Sequence, residues 1–335
     1  MDEGLDSPQM ALLRARPKLV AALAVVALFI AGAAYQAVFG SRSSLGLHVE
    51  GDRLVDEGRV VRLLGVDWPG EGRACAEGKG ALAGPSGRDA VRALLRWRIN
   101  AVRIPLNEDC WLAPGGTTTG AAYRDGIAAF VERLHAAGLY VILDLDRSPQ
   151  PLADAARSPR FWSEVAKAYK HDRRVVFDLY DEPHDVDWFC WRDGCTSRGG
   201  VRLAGMQQLV DAVRDAGAKQ PLMIAGLDGG NDLRRWVDLP PFDPESQLVA
   251  SFHVDGRSRC ATARCWDGTV ARVARRVPVV TAEVGDRDCR TAFAERFARW
   301  ADAHGVSYLG STSKAGLCAA LERHLAKQDV RLAPD

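Results

Sequence analysis

The sequence lacks an excess of either charge, and this absence limits the partners that the chain can have. Its 335 residues include 44 lysines and arginines and 43 aspartates and glutamates, for a formal net charge of +1. Nucleic-acid-binding domains normally carry a basic excess, so this class is not supported. Internal repeats and low-complexity segments are also absent from the sequence. With 47% apolar residues, the chain can bury a large core as one domain.

Long apolar runs are scarce, with one exception near the N-terminus. Leu19–Phe39 contains no charged residue and follows Arg14, Arg16 and Lys18. It is long enough to span a bilayer, with its basic flank on the cytoplasmic side. A cleaved signal peptide is the alternative, because Ala31–Ala33 could serve as a cleavage site. We expect a cytoplasmic tail (1–18), an anchor or signal peptide (19–39), a linker (40–46) and an exported domain (47–335), which is membrane-bound or, after cleavage, secreted.

Cysteines occur only after the apolar segment. Their even number in an exported chain predicts disulfides. The short spacings favour the pairs Cys190–Cys195 and Cys260–Cys265, which leaves Cys75–Cys110 and Cys289–Cys318. Zinc is the rival ligand for C-x4-C pairs, but neither pair has the nearby histidine spacing of a zinc site. We therefore expect disulfides, no metal and no cofactor.

Eight short apolar runs follow the linker, and most of them are separated by stretches with helical character. The runs are RLLGVD, NAVRIPL, LYVILDL, VVFDLYD, PLMIAG, LVASFHV, PVVTAEV and VSYLGS. This alternation predicts a (β/α)8 barrel, preceded by a β-hairpin near Leu47–Val60. A doubly wound open sheet is the alternative. It is disfavoured because no G-x-G-x-x-G motif follows the first run.

Polar residues collect where these runs end, and the carboxyl ends of barrel strands form the functional face. They are Asp67, Arg103, Asp144, Asp146, Asp181, Glu182, His253 and Glu283. Glu182 ends the fourth run and Glu283 the seventh, and strands four and seven face each other across a barrel. Retaining glycoside hydrolysis needs two carboxyl groups about 5–5.5 Å apart. Structural salt bridges at the barrel mouth are the competing explanation for both glutamates.

The same motifs resemble glycoside hydrolase family 5, the cellulase-like retaining glycosidases, over about Leu47–Leu325. The resemblance rests on VVRLLGVDW, NAVRIPL, GLYVILDL, VVFDLYDEPH, SFHV and VPVVTAEVG, in this order along the chain. It implies that Glu182 is the acid/base and Glu283 the nucleophile. It also implies substrate-site roles for Arg103 and His253, and no cofactor.

The sequence departs from the family pattern around the reacting sugar. Asp181 stands in place of asparagine, Asp146 in place of histidine and Asp255 in place of tyrosine. The tryptophan of strand eight is missing, and YLGSTS provides Ser311 and Ser313 instead. The added aspartates would raise the pKa of Glu283 and make it a poorer nucleophile. We also expect an acidic pH optimum, because protonating these aspartates would relieve their repulsion of ionised Glu283.

Two functions follow from the match and the departures together. The first is a monomeric O-glycosyl hydrolase that acts on a β-linked polysaccharide or glycoconjugate, with Asp181, Asp146 and Asp255 also contacting the substrate. The second is a barrel that has lost efficient turnover and binds carbohydrate at the cell surface. Neither reading involves nucleic acid.

Overall fold

The computed structural model describes residues 46–69, 74–75, 77–113, 120–146, 150–285, 292–313, 316–330 and 332–334. Residues Leu47–Asp335 form one compact unit. The predicted membrane segment, Leu19–Phe39, lies outside the described residues. No helix within the described ranges is long and apolar enough to cross a membrane.

A small antiparallel sheet begins this unit. It comprises β1 (His48–Glu50), β2 (Arg53–Asp56) and β3 (Arg59–Val61), so the predicted hairpin is present with a third strand added. Glu57 and Gly58, which join β2 to β3, both have positive φ, at 49° and 72°. Two successive residues of this kind form the type I′ turn that suits a tight hairpin, and the glycine adopts its φ without steric cost.

Eight parallel strands close into a barrel, as the sequence predicted. They are β4 (Leu64–Asp67), β5 (Ala101–Leu106), β6 (Tyr140–Leu145), β7 (Val175–Asp178), β10 (Leu222–Ala225), β11 (Leu248–Val254), β12 (Val279–Val284) and β13 (Ser307–Ser313). Each strand pairs with the next in this order, and β13 pairs with β4 to complete the ring. The short strands β8 (Cys195–Thr196) and β9 (Arg202–Leu203) form a separate ribbon, and β14 (Gly316–Leu317) pairs with β13.

Helices occupy most connections between the barrel strands. They are α1 (Arg88–Arg96), α2 (Glu108–Trp111), α3 (Gly120–His135), α4 (Ser158–Tyr169), α5 (Trp188–Asp193), α6 (Met206–Asp215), α7 (Ala263–Cys265), α8 (Ala271–Ala274), α9 (Phe293–Ala303) and α10 (Ala319–Leu325). A π-helical turn, Trp266–Val270, joins α7 to α8. The connection from β10 to β11 is fully described and contains only turns and an isolated bridge. The sequence likewise predicts no helix there.

The core has two parts, one between the helices and the strands and one inside the barrel. Every second strand residue points inward, as the pleat of a strand requires. Ala101, Ile142, Val176 and Met223 belong to the inner cluster. Leu54 of β2 packs into the same cluster, so the N-terminal sheet closes the amino end of the barrel. Only the carboxyl end is then left for a site.

Three of the expected disulfides are confirmed. Cys75–Cys110, Cys190–Cys195 and Cys260–Cys265 are bonded. Cys318 is also disulfide-bonded. Its expected partner, Cys289, lies outside the described residues.

Candidate active site

The carboxyl end of the barrel is lined by charged residues because the inward alternation of the strands continues past the apolar layer. Arg103 stands two residues after Ala101 on β5, and Asp144 two residues after Ile142 on β6. These polar side chains therefore lie directly above the apolar interior of the barrel.

Arg103 is the centre of this layer. Its side chain is 2% exposed and faces five carboxyl groups. Nε donates to Asp178 Oδ2 (2.9 Å), and Nη2 donates to Asp181 Oδ1 (2.8 Å) and lies 3.0 Å from Asp144 Oδ1. Nη1 donates to Asp67 Oδ1 (3.0 Å) and Glu283 Oε1 (3.4 Å). The buried guanidinium of Arg103 is thus shared among five carboxyl groups. They belong to β4, β6, β7, the segment that follows β7, and β12.

A single guanidinium cannot keep all five carboxyl groups ionised. Burial raises the pKa of Asp67 to about 8, even though Arg103 opposes the shift. Burial also raises the pKa of Asp144 and Asp178 above the ordinary range. Burial alone would lower the pKa of Arg103, but the carboxylates around it, Asp144 first, raise it above its ordinary value. At neutral pH the cluster therefore holds several protons.

Glu283 reaches this cluster through a β-bulge. Phe252 of β11 pairs with Thr281, whereas the next residue, His253, pairs with Glu283, so β12 has one extra residue at this point. Bulges of this kind re-aim a side chain next to an active site. The Glu283 side chain remains 31% exposed, so a substrate can reach it, whereas Asp178 is fully buried.

The pKa of Glu283 is raised to about 8. Burial is the largest cause, the charge of Asp181 adds to it, and Arg103 opposes both. The charge of Glu182 raises this pKa further, which indicates that the two glutamates are close enough to interact. The direction agrees with the expectation from the substituted aspartates.

Glu182 has an unusual backbone. Its φ is +47°, in the left-handed region that a residue before proline rarely adopts. Hydrogen bonds hold the backbone carbonyls of both Glu182 and Pro183. Its carbonyl accepts a hydrogen bond from His184 Nδ1 (2.8 Å), and the carbonyl of Pro183 accepts one from the amide of Gly229 (2.9 Å). Strained residues held in this way are common at functional sites.

His253 is buried beside Asp181 and Glu283. Its Nδ1 lies 3.9 Å from Asp181 Oδ1, and neither ring nitrogen has a hydrogen-bond partner. Its backbone is held by Gly230, whose carbonyl accepts from the His253 amide, and by Asn231, whose side chain donates to the His253 carbonyl. Within the described ranges, Asp181, His253 and Glu283 are the one group of His, Cys, Asp and Glu residues placed to hold a metal ion.

The other two predicted substrate-site residues lie outside the ring of carboxyl groups around Arg103. Asp146 follows β6, is half-buried, and acts on Asp144 through its charge. The Oδ1 of Asp255 accepts hydrogen bonds from the amides of Arg257 and Ser258 and from the Ser258 hydroxyl, all within its own turn. Asp255 therefore stabilises the end of β11 locally.

Phe189 on α5 is an exposed aromatic side chain, but the tryptophans beside the disulfides are buried. Trp188 and Trp191 pack against each other with ring centroids 4.9 Å apart, and both are buried, as is Trp266. Ser311 is half-buried on β13 and pairs with Asp67 of β4. The short internal segments outside the described residues contain no Trp, Tyr or Phe.

Sequence reasoning missed Asp178 and did not assign Asp67 and Asp144 to the site. Asp178 stands two residues after Val176, which faces the barrel interior, so strand alternation already aims it at the site. The same spacing of two residues relates Gly65 to Asp67 on β4. Extending the inward alternation to the end of every strand would have identified Asp178 and would have assigned Asp67 and Asp144, already placed at the functional face, to the site.

Comparison with known proteins identifies the family of this barrel. A sequence model of cellulase (glycosyl hydrolase family 5) matches residues 77–315, which is most of the chain. The chain belongs to glycosyl hydrolase family 5.

Among curated relatives, a probable endo-beta-1,4-glucanase B of Aspergillus oryzae is 24% identical over 61% of this chain and 64% of its own length. Endoglucanase 1 of Robillarda sp. is 33% identical over 28% of this chain and 20% of its own length. The chain thus spans less than two thirds of these relatives.

Solved structures of family 5 share the barrel. The β-glucanase SdGluc5_26A of Saccharophagus degradans superposes with a TM-score of 0.65 at 16% identity, over 84% of this chain and 93% of its own. An endocellulase of Pyrococcus horikoshii gives a TM-score of 0.62 at 15% identity, over 84% of this chain and 99% of its own. XacCel5A, solved in complex with cellopentaose, gives 0.59 at 15% identity, over 80% and 99%. At these identities the likeness concerns the fold alone.

Proposed function

We propose that this protein is a retaining glycoside hydrolase that acts on β-linked glucans, with Glu283 as nucleophile and Glu182 as acid/base. The observation that carries the proposal is the position of Glu283. It ends β12 in hydrogen-bond contact with Arg103, stays accessible, and responds to the charge of Glu182. A nucleophile and an acid that interact across a barrel mouth are what the retaining reaction requires.

The reaction would follow from these positions. The carboxylate of Glu283 attacks the anomeric carbon while Glu182 donates its proton to the departing glycosidic oxygen. Glu182, now ionised, removes a proton from water, and that water attacks the anomeric carbon and releases Glu283. Arg103 orients Glu283 and offsets its charge, because its Nη1 lies 3.4 Å from Oε1.

The choice of glucan rests on the relatives. Two curated relatives are named endoglucanases, and one family 5 structure contains cellopentaose. A β-1,4-linked glucan is therefore the first substrate to test. The absence of the tryptophan that the family carries on strand eight predicts weaker substrate affinity, since sugar rings stack on aromatic faces.

Turnover is expected to be slow at neutral pH. With its pKa raised to about 8, Glu283 is less ionised at pH 7 than an ordinary glutamate. The nucleophile must be ionised to attack, so burial of Glu283 favours activity at higher pH. This expectation replaces the acidic optimum inferred from the sequence.

A covalent trap provides the test. The full-length protein, kept in mild detergent, is incubated at pH 8 with a 2-deoxy-2-fluoro cellobiosyl fluoride, and its peptides are analysed by mass spectrometry. We expect one sugar on Glu283 of the wild type and of Glu164→Gln, a surface control on α4. Glu283→Gln should remain unlabelled and release no reducing sugar from soluble cellulose or mixed-linkage β-glucan. A label on another residue, or turnover by Glu283→Gln, would contradict the assignment.

The carboxyl groups around Arg103 hold several protons at neutral pH, and this favours a second function. In that function the barrel binds carbohydrate without turnover. A nucleophile that is mostly protonated can still hydrogen-bond a sugar hydroxyl. If the wild type gives neither label nor turnover between pH 6 and 9 but binds cello-oligosaccharides by calorimetry, this second function replaces the first.

We further propose that the domain works outside the cytoplasm, held by the apolar segment Leu19–Phe39 or released by its cleavage. Three intact disulfides support this location, because such bonds persist in oxidising compartments. Carbonate extraction of membranes should leave an anchored protein in the pellet, whereas a shortened chain in the medium would indicate cleavage.

A further inference from the structure

Three side chains at the centre of the site are arranged as a metal-binding set. One ligand atom from each of Asp181, His253 and Glu283 lies within 4.8 Å of the others. Metal ligands at about 2.1 Å in a tetrahedral arrangement are about 3.4 Å apart, so the side chains need to approach one another by up to about 1.4 Å. Side-chain rotations supply movements of this size without moving the strands.

His253 is the observation that points to a ligand. The residue is 5% exposed, and neither Nδ1 nor Nε2 has a hydrogen-bond partner. A buried polar atom without a partner costs about 1–3 kcal/mol, so one that persists calls for an explanation such as an ion. Nδ1 lies 3.9 Å from Asp181 Oδ1, and one ring nitrogen lies within 4.8 Å of a Glu283 carboxylate oxygen. Neutral imidazole beside carboxylates is a common metal-binding arrangement.

The carboxyl groups of the set have oxygens beyond those that Arg103 binds. Arg103 holds one oxygen of Asp181 and one of Glu283, and each carboxylate has a second oxygen. A divalent ion beside Arg103 would bind these second oxygens.

The donor set indicates which ion would bind. One imidazole and two carboxylates are ligands of zinc and related first-row ions, whereas calcium and magnesium prefer oxygen alone. Three protein ligands leave a fourth position for water. We propose that Asp181, His253 and Glu283 bind one first-row divalent transition-metal ion, with zinc as the reference ion.

This site would compete with catalysis, a consequence that rests on the proposed function. A carboxylate that coordinates zinc cannot at the same time attack an anomeric carbon. Zinc binding and formation of the glycosyl-enzyme on Glu283 would therefore exclude each other. Asp181 makes the site possible, because an amide is a much weaker zinc ligand than a carboxylate.

The direct test is binding without substrate. The full-length protein, freed of metal by chelation, is titrated with ZnCl2 at pH 7.5 by calorimetry, and Co2+ is then added as a spectroscopic probe. We expect one zinc per chain, a visible Co2+ absorption band, and no displacement by equal concentrations of Mg2+ or Ca2+. Asp181→Asn and His253→Gln should each weaken zinc binding at least about 10-fold.

Controls separate this site from background binding. His304→Ala removes an exposed histidine whose Nε2 lies 3.8 Å from Asp267 Oδ1, and it should leave the affinity unchanged. Thermal unfolding checks that each variant is folded. If His253→Gln is not folded, the zinc affinity of Asp181→Asn alone tests the proposal. Retained affinity in Asp181→Asn, equal loss in His304→Ala, or no zinc binding by the wild type would overturn the proposal.

The two proposals can fail separately. Zinc binding by a protein that never labels Glu283 would refute hydrolysis and leave the metal site standing. Hydrolysis that persists unchanged at saturating zinc would refute the competition. Hydrolysis without any zinc binding would refute the metal site alone.

Discussion

At the scale of single residues, the properties of Glu283 depend on its neighbours more than on its own chemistry. An isolated glutamate has a pKa near 4.5, but burial and the charge of Asp181 raise that of Glu283 to about 8. Arg103 would lower it, yet its charge is divided among five carboxyl groups, with Asp178 and Asp181 at 2.9 and 2.8 Å. The proposed nucleophile is thus placed where its pKa is raised, so that less of it is ionised at neutral pH.

The charge of Asp181 can be removed with little change of shape. In Asp181→Asn we expect the pKa of Glu283 to fall, since one cause of its elevation is gone. The acid limb of the kcat/KM profile should move to lower pH, and activity at pH 6 should rise about tenfold for each unit of that movement. Asp255→Asn is the matched control, because the hydrogen bonds of that carboxylate lie within its own turn. If the acid limb of the kcat/KM profile has the same pH midpoint in Asp181→Asn as in the wild type, Asp181 does not set the pKa of Glu283.

At the scale of elements, the turn between β10 and β11 positions the histidine of the site. Gly230 has a φ of +79°, and a Cβ added there would lie 2.7 Å from His253 Cγ. The adjacent Gly229 has a similar φ, +66°, but a Cβ would meet nothing within 4 Å. The two glycines therefore separate the cost of backbone strain from the cost of displacing the histidine.

Alanine substitutions at these glycines test that separation. Both variants should lose about 1 kcal/mol of unfolding free energy from the positive φ, measured by urea denaturation. Gly230→Ala should lose about 1–3 kcal/mol more from the clash and should also bind zinc more weakly. Equal effects in both variants would mean that the contact with His253 is unimportant.

Disulfides give a second prediction at this scale. Cys75–Cys110 closes a loop of 35 residues, whereas Cys260–Cys265 closes one of 5. The loop-entropy relation gives about 4 kcal/mol of stabilisation for the first bridge and about 2 kcal/mol for the second. Paired Cys→Ala variants, compared by urea denaturation in non-reducing buffer, should follow this order. The reverse order would mean that local packing outweighs loop length.

At the scale of the whole molecule, the buried carboxyl groups link stability to pH. Asp67 and Glu283 have pKa values of about 8 in the folded chain, against 3.8 and 4.5 for ordinary groups. Between about pH 4 and pH 8, the folded state therefore keeps two protons, one on each of these groups. The unfolded chain has already released both. Stability is greatest at the acidic end of this window and falls as the pH rises through it.

Thermal unfolding at several pH values measures this linkage. We expect the Tm to fall by at least about 3 °C between pH 6 and pH 9, since a loss of 1 kcal/mol shifts the Tm by about 2–4 °C in a domain of this class. Asp67→Asn should flatten the profile because the amide does not titrate. A Tm that rises over this range would show that the cluster stays ionised.

Much of the fold could be predicted from the sequence because it depends on local patterns. Each barrel strand is a short apolar run, as in Tyr140–Leu145, and turns or helices fill the connections. The nearby cysteines paired as their spacing suggested. The roles of Asp67, Asp144 and Asp178 were less visible, because each follows an apolar strand in which a polar last residue is ordinary.

The sequence alone determined the order of strands, the family motifs, and the positions of Glu182 shortly after β7 and Glu283 near the end of β12, because alternation and chain order carry that information. Only the tertiary structure decided that carboxyl groups from four regions of the barrel share Arg103, and that the His253 ring lies beside Asp181 with no hydrogen bond to either nitrogen. The physical reason is that electrostatic interaction depends on distance through space. Residues separated by up to 180 positions come within 3.4 Å of one guanidinium when the barrel closes.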